Sequence, residues 1–134
     1  MKTRVISNVT QKNVGQVLSE CVNKDATVNT DENVAYRNPL KEWKRHNTVV
    51  HSHGEYQRRN SDGTLSGVNR CESFFSLLMR GVYGSWHHVS REHLPKYANE
   101  FAFRWNTRDL SDGQRMETAI GMTTGKRLTY RQAV

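Results

Sequence analysis

Two acidic residues stand where metal-assisted chemistry on a phosphodiester could be carried out. Asp31 directly follows the segment ATVNT, and Glu72 lies near the start of the amphipathic stretch NRCESFFSLLMRGVYG. Two-metal cleavage of a phosphodiester requires carboxylates that converge from different elements, because the ions activate a hydroxyl and neutralise the leaving oxygen. Mg²⁺ prefers such oxygen ligands. Spacing alone equally allows these two acids to be helix caps or solvated surface carboxylates.

Four histidines form two close pairs, His51 with His53 and His87 with His88. The pairs lack the ligand spacing of a zinc site, so we interpret them as hydrogen-bonded or phosphate-contacting side chains. His87 and His88 are therefore candidate DNA contacts. Trp86, beside them, is suited either to stacking on an extruded base or to anchoring the core.

Basic side chains point to a polyanionic partner. Lys and Arg number 20 against 13 acidic residues, a formal charge of +7 that is spread over both halves of the 134-residue chain. Such a field favours nucleic acid. Arg58 and Arg59, in the polar stretch HSHGEYQRRNSDGTLSG, are candidate DNA contacts because guanidinium presents a fixed fork of donors to phosphate. The alternative is a solvated pair of loop arginines.

The elements that must position these residues alternate between strands and helices. We expect strands over Thr3–Val9, Ala26–Thr30 and Asn47–His51. An α/β sheet follows from this alternation. In such sheets the chemistry gathers at the carboxyl ends of the strands, which is where Asp31 lies.

Helical periodicity is clearest in four places. We expect helices after the capping residue Thr10, over the NRCE stretch, near Ser90 or Pro95, and over Ser111–Ile120. Glu72 lies at the edge of the apolar stripe of its helix, about 100° from Cys71. It can therefore face a half-buried cleft.

Several classes of protein are disfavoured by the composition. Cys21 and Cys71 are too few and too far apart for a zinc motif, and no apolar run approaches the length of a membrane helix. The amino-terminal residues carry no signal-peptide pattern. We expect a cytoplasmic protein with reduced thiols, associated with the nucleoid when it is bound to DNA.

Five motifs together resemble a known family. They are TDENVAY (30–36), HSHGEY (51–56), NRCESFFSLLMRGVYGSWHHVSREHL (69–94), YANEFAFRWNTR (97–108) and GKRLTYR (125–131). In this order they resemble the C-terminal half of the ISXO2-like insertion-sequence transposases, which are DDE enzymes related to the Merlin superfamily of eukaryotic transposons. The resemblance covers nearly the whole chain.

The resemblance implies a ribonuclease H-like, integrase-type α/β fold and DNA strand transfer with Mg²⁺ or Mn²⁺. Asp31 matches the second catalytic Asp, which follows the fourth strand in this family. Glu72 matches the third metal ligand, with Asn69 as the alternative because some members use an amide there. In the whole enzyme a metal-activated water cleaves at the transposon end, and the freed 3′-hydroxyl attacks target DNA.

The chain also departs from the family pattern. Met79 stands where a Lys that approaches the DNA is usual, and the adjacent Arg80 is a candidate DNA contact in its place. GVNRCE replaces the frequent HTNTIE. The first catalytic Asp belongs on the first strand of the sheet, whereas this chain begins near the third.

That difference has a physical consequence. The expected strand order is 3-2-1-4-5, so without strands 1 and 2 the strand at Thr3–Val9 has no partner beside Ala26–Thr30. Unpaired edges of this kind are an aggregation hazard. We therefore expect an N-terminally truncated domain that is inactive alone, either a decayed remnant or the distal half of a split gene.

The expected organisation is a partial catalytic domain over 1–134. It divides into a ribonuclease H-like core at 1–108 and a C-terminal helix with a basic tail at 109–134. Its expected partners are DNA, both transposon ends and target, and the N-terminal half of a split transposase or the full-length enzyme. The alternatives are a non-enzymatic module that binds DNA or transposase, and a product without function.

Overall fold

The computed structural model describes residues 1–127, so positions 128–134, with most of the predicted basic tail, lie outside the described residues. The described part is a mixed α/β structure with four α-helices and two small sheets. The helices are α1 (Gln11–Cys21), α2 (Asn69–Gly81), α3 (Leu94–Asn106) and α4 (Asp112–Thr123). The strands are β1 (Thr27–Thr30), β2 (Arg45–Thr48), β3 (Gln57–Arg59) and β4 (Leu65–Gly67). Within residues 1–127 no helix combines the length and apolarity that crossing a membrane requires.

Local capping explains where the helices begin. The Thr10 side chain accepts a hydrogen bond from the first turn of α1, and Ser111 forms a reciprocal capping box with Gln114 at the start of α4. α3 begins at Leu94, which places Pro95 in the first turn. Backbone N–H groups in the first turn have no partner within the helix, so a proline there costs no hydrogen bond. The predicted helices are confirmed.

β1 and β2 form a parallel two-stranded sheet, with Thr27 opposite Arg45 and Thr30 opposite Thr48. Two short 3₁₀-helices, Val34–Tyr36 and Pro39–Glu42, lie in the segment that connects the strands. The strand predicted at Asn47–His51 was placed too late in the chain. The ladder ends at Thr48 because β1 ends opposite it, and HSH forms a 3₁₀-helix.

The stretch predicted as a polar loop contains a β-hairpin. β3 and β4 pair antiparallel, and Gly63 supplies a positive φ of 82° in the turn between them. Ser66 is fully buried, and its hydroxyl accepts a hydrogen bond from the Asn60 amide at 2.8 Å. All three β3 residues are exposed, so the hairpin has no apolar alternation that could have signalled it.

The strand predicted over Thr3–Val9 is not formed. Within residues 1–127 no strand lies beside this segment to bond its backbone, and a strand requires such a neighbour. Met1–Ile6 line instead an apolar cavity of about 350 Å³ against α2 and α3. Phe75 lines the same cavity and is 59% exposed, so the predicted apolar stripe of α2 is only partly buried.

The main hydrophobic cluster lies between α2 and α3. It consists of Phe74, Leu78 and Ala102, with Trp86, Phe101 and Trp105 packed against it. Trp86 ends the π-helix Val82–Trp86 that continues α2, and its ring meets that of Phe101 edge-on at 5.3 Å. Of the two roles considered for Trp86, the structure favours the anchor of the core.

Candidate carboxylate site

Asp31 is the first residue after β1 and is partly buried. Its Oδ1 accepts a hydrogen bond from the backbone N–H of Asn33 at 3.0 Å, which holds the carboxylate in a local turn. A pocket of about 310 Å³ beside it is lined by Thr30, Glu32, Asn33, Tyr36, Arg37, His46 and Thr48. The carboxylate therefore faces a pocket and is not fully surrounded by solvent.

Glu72 lies in the first turn of α2, where the helix dipole favours a negative charge. Its Oε1 lies 3.3 Å from Nδ1 of His51, and its side chain is 46% exposed. The His51 ring packs against Tyr56 with centroids 5.4 Å apart, and its buried Nε2 has no hydrogen-bond partner among the described residues. The side chain of Glu72 is thus held from one side by an imidazole.

Glu32 connects the end of β1 to the turn that carries His51. Its two carboxylate oxygens accept hydrogen bonds from the backbone N–H groups of His51 at 2.9 Å and Ser52 at 3.0 Å. Hydrogen bonds from its own N–H and from those two N–H groups lower the pKa of Glu32 to about 2. The ionised carboxylate therefore caps the 3₁₀-helix His51–His53.

A series of contacts connects the two predicted ligand positions, although Glu72 does not line the pocket beside Asp31. Asp31 adjoins Glu32, Glu32 holds the backbone of His51, and the His51 ring meets Glu72. Tyr36 lies near Asp31 and near the first turn of α2. Its pKa is raised by burial, then by the charge of Asp31 and by that of Cys71 in the first turn of α2.

The candidate donors would form only part of a metal site. Carboxylates are the oxygen donors that Mg²⁺ and Mn²⁺ prefer, and Asp31 and Glu72 provide one each. Within residues 1–127, however, no group of three His, Cys, Asp or Glu side chains is arranged to hold a metal ion. The alternative ligand Asn69 is the exposed first residue of α2, one turn before Glu72, so it lies on the same side of the helix.

The two predicted DNA-contacting arginines of the hairpin have different surroundings. Nη2 of Arg58 donates to the carbonyl oxygen of Thr48 at 2.6 Å, and its Nε lies 3.6 Å from Oε1 of Glu55. Arg58 therefore fastens the hairpin to β2. Arg59 is exposed and lines a groove between the hairpin and the parallel sheet.

The remaining predicted DNA contacts lie at the other end of α2. Arg80 is in its last turn, about 12 Å along the helix axis from Glu72. His87 and His88 follow the π-helix and are exposed, and His87 has a positive φ of 57°. The structure thus does not place these three residues beside the carboxylates.

Sequence reasoning missed the contacts of two residues in the site. Glu32 was passed over beside Asp31, and His51 was considered only as one of a histidine pair. The available signals were the consecutive acids in TDEN and the histidine that opens HSHGEY. Neither signal identifies a partner, because both contacts join residues about 20 or more positions apart.

The comparisons with known proteins give one match. The family model described as the ISXO2-like transposase domain matches residues 1–106. No curated protein and no solved structure matches the chain. The matched residues include β1, the His51 turn, α2 and α3, so every element of the candidate site lies inside the match.

Proposed function

This chain belongs to the ISXO2-like transposase family, and we propose that it contributes Asp31 and Glu72 as metal-binding carboxylates to DNA strand cleavage and transfer. The observation that carries the proposal is the contact between His51 and Glu72, because it brings α2 to the region where β1 ends. DNA is the partner that the family implies. The net charge of +7 suits that partner.

Each residue of the site has a distinct role in this proposal. Asp31 and Glu72 would hold the ions, with Asn69 as the alternative to Glu72. Bound Mg²⁺ or Mn²⁺ would activate the attacking hydroxyl and stabilise the leaving oxygen. His51 orients the Glu72 carboxylate, and Glu32 holds the turn that presents His51.

A ribonuclease H-like fold is supported by the parallel pairing of β1 with β2. In the expected order 3-2-1-4-5, strands 4 and 5 are neighbours, and Asp31 directly follows β1 as the second catalytic Asp follows strand 4. Among the described strands β1 pairs with β2 alone, along one edge. Its other edge is where the first strand, with the first catalytic Asp, would pair.

We therefore infer that a further carboxylate completes the site from outside residues 1–127. Two carboxylates without a third acid bind divalent ions weakly, so the chain alone is expected to be inactive.

The proposed core ends at 108, close to the end of the family match at 106. In the proposed C-terminal part, α4 contains no buried residue. The complementing partner would be the N-terminal half of a split transposase or the full-length enzyme.

A strand-cleavage assay tests this function. The substrate is duplex DNA that carries the terminal inverted repeats flanking the gene, with Mn²⁺, and the chain is assayed alone and with a polypeptide that supplies the first strands. We expect no cleavage by the chain alone, and complemented cleavage that Asp31→Ala and Glu72→Ala abolish. The Asn69→Ala variant tests the alternative ligand.

Two results would count against specific parts of the proposal. Robust cleavage by the chain alone, abolished by Asp31→Ala, would show that the site is complete within the chain. Complemented cleavage that survives Asp31→Ala would remove Asp31 from the site.

A non-enzymatic DNA-binding role is the second candidate. The groove beside Arg59 favours it, because basic side chains dominate the charge of that groove. A chain with this role would bind DNA, with an affinity that falls steeply as salt rises, and would not cleave in any complemented mixture.

A further inference from the structure

A groove of about 770 Å³ lies between the parallel sheet and the β3–β4 hairpin. Among residues 1–127, four basic residues and one acidic residue, Asp62, line it. The basic residues are Lys44, Arg45, Arg58 and Arg59. We call this surface the cationic groove. Its lining carries a formal charge of +3, four cations less one carboxylate.

Two of the basic side chains of the groove are bonded to neighbouring groups. Nη2 of Arg45 donates to the carbonyl oxygen of Asp25 at 2.8 Å, and the Lys44 ammonium pairs with the Asp25 carboxylate. A bond to a neutral carbonyl orients a guanidinium without cancelling its charge. Arg59 is exposed and makes no ion pair with any residue in 1–127.

The acid of the groove is bonded within its own turn. The Asp62 carboxylate accepts hydrogen bonds from the hydroxyl of Thr64 at 2.6 Å and from its backbone N–H at 2.9 Å. These bonds account for most of the lowering of the Asp62 pKa, to which Arg45 also contributes. The lowered pKa keeps Asp62 ionised, so once Asp25 and Glu55, the ion-pair partners of Lys44 and Arg58, are also counted, four cations less three carboxylates leave the groove with a charge of +1.

The cationic groove and the Asp31 pocket lie on opposite faces of the parallel sheet. Asn29 and Asn47 line the groove and bond to each other at 3.2 Å, whereas Thr30 and Thr48 line the pocket. Side chains alternate between faces along a strand, so these two sets point away from each other. His46 is the residue that lines both cavities.

We propose that the cationic groove binds the phosphate backbone of a DNA segment other than the one that is cleaved beside Asp31. The inference rests on the proposed function, from which it takes DNA as the polyanion. Arg45 and Arg59 come from two different elements and would contact phosphates on one backbone, which positions DNA without reading its sequence. The enzyme would then hold two stretches of DNA on two faces of one sheet.

Fluorescence anisotropy tests the groove with the 134-residue chain, a short fluorescein-labelled DNA duplex, and EDTA in place of metal ions. The double variant Arg45→Gln/Arg59→Gln should bind about tenfold more weakly at moderate salt. Its plot of log affinity against log salt should be shallower by about 1.8, since each lost phosphate contact removes about 0.9.

Matched variants isolate the groove from the net charge. Lys12→Gln/Lys41→Gln removes two exposed charges outside the groove and should change binding less than the groove variant does. Arg59→Gln alone keeps the bond of Arg45 to Asp25 and should still lower the slope by about 0.9.

The outcomes separate this inference from the proposed function. If the wild type binds DNA and both double variants lose affinity equally, the groove is wrong while the proposed function stands. If the groove variant keeps the affinity and the salt slope of the wild type, the cationic groove does not bind DNA and the inference is wrong. If the wild type binds an RNA duplex but no DNA, or neither, both proposals are contradicted.

Discussion

Nδ1 of His51 lies 3.3 Å from Oε1 of Glu72, and the backbone N–H of the same histidine donates to Glu32. One residue therefore contacts an acid after β1 through its main chain and an acid of α2 through its ring. This arrangement makes His51 the residue that connects Glu32 with Glu72. It also makes Glu72 more than an isolated surface carboxylate.

His51→Ala should weaken Mn²⁺ binding by about 10- to 100-fold, the usual effect of losing a group that orients a metal ligand. His51→Asn, whose side-chain amide can place a nitrogen beside the Glu72 carboxylate, should recover part of the loss. His53→Ala, on the same turn, is the control and should bind normally, since His53 is exposed and His51, not His53, pairs with Glu72. Water-proton relaxation measures the binding, and equal losses in the His51→Ala and His53→Ala variants would contradict a positioning role.

Glu32 should make the stability of the protein depend on pH in acid solution. Its pKa falls from 4.5 to about 2 on folding, so its contribution is present above 4.5 and is lost as pH falls from 4.5 to about 2. Glu32→Gln should therefore lower the melting temperature at pH 6, and the difference from wild type should shrink towards pH 2. Glu117→Gln, an exposed acid of α4, is the control. A difference that stays constant over this range would contradict the assigned role of the charge.

Two adjacent phenylalanines of α2 should differ sharply. Phe74 is 2% exposed and Phe75 is 59% exposed. Phe74→Ala should cost about 3–5 kcal/mol in the free energy of unfolding, and Phe75→Ala less than about 1.5 kcal/mol. Urea denaturation measures both values. Similar costs for the two variants would contradict the orientation of α2.

Two glycines near the end of α2 should respond to alanine with opposite signs. A Cβ on Gly81 would come within 2.5 Å of the Phe101 ring, whereas a Cβ on Gly84 would meet nothing within 4 Å. Gly81→Ala should therefore destabilise the protein by about 1–3 kcal/mol through overpacking. Gly84→Ala, in the π-helix, should stabilise it by about 0.5–1 kcal/mol. Thermal melts give both signs, and a stabilising Gly81→Ala would contradict the close approach of α2 and α3.

The accuracy of the sequence predictions depended on how local each feature is. α1 was predicted with Thr10 as its cap and α4 as a helical stretch from Ser111, and in the structure both helices are capped within their own first turns. The strand at Thr3–Val9 was wrong because strands depend on a neighbour. The β3–β4 hairpin was missed because its strands show no apolar alternation. A hydrogen bond between the side chains of Asn60 and Ser66 joins the two sides of its turn instead.

In the candidate site, too, single residues could be predicted from the sequence, whereas contacts between distant residues could not. Asp31 was a candidate from its place at the end of a strand, and Glu72 became one mainly through the resemblance to a transposase family. The contact of His51 with Glu72 spans 21 positions, and no periodicity connects residues at that separation. The cationic groove could not be predicted either, because Lys44 and Arg45 lie beside the hairpin only in the folded chain.

Paramagnetic broadening by Mn²⁺ in the amide NMR spectrum tests whether Asp31 and Glu72 bind a metal ion, because it detects weak binding by an incomplete site. We expect substoichiometric Mn²⁺ to broaden signals at positions 30–33 and 69–73. Asp31→Asn and Glu72→Gln should each reduce this broadening, whereas Asp62→Asn should not. Broadening at these positions that survives both Asp31→Asn and Glu72→Gln, or broadening centred on the hairpin instead, would contradict the assignment of Asp31 and Glu72 as metal ligands.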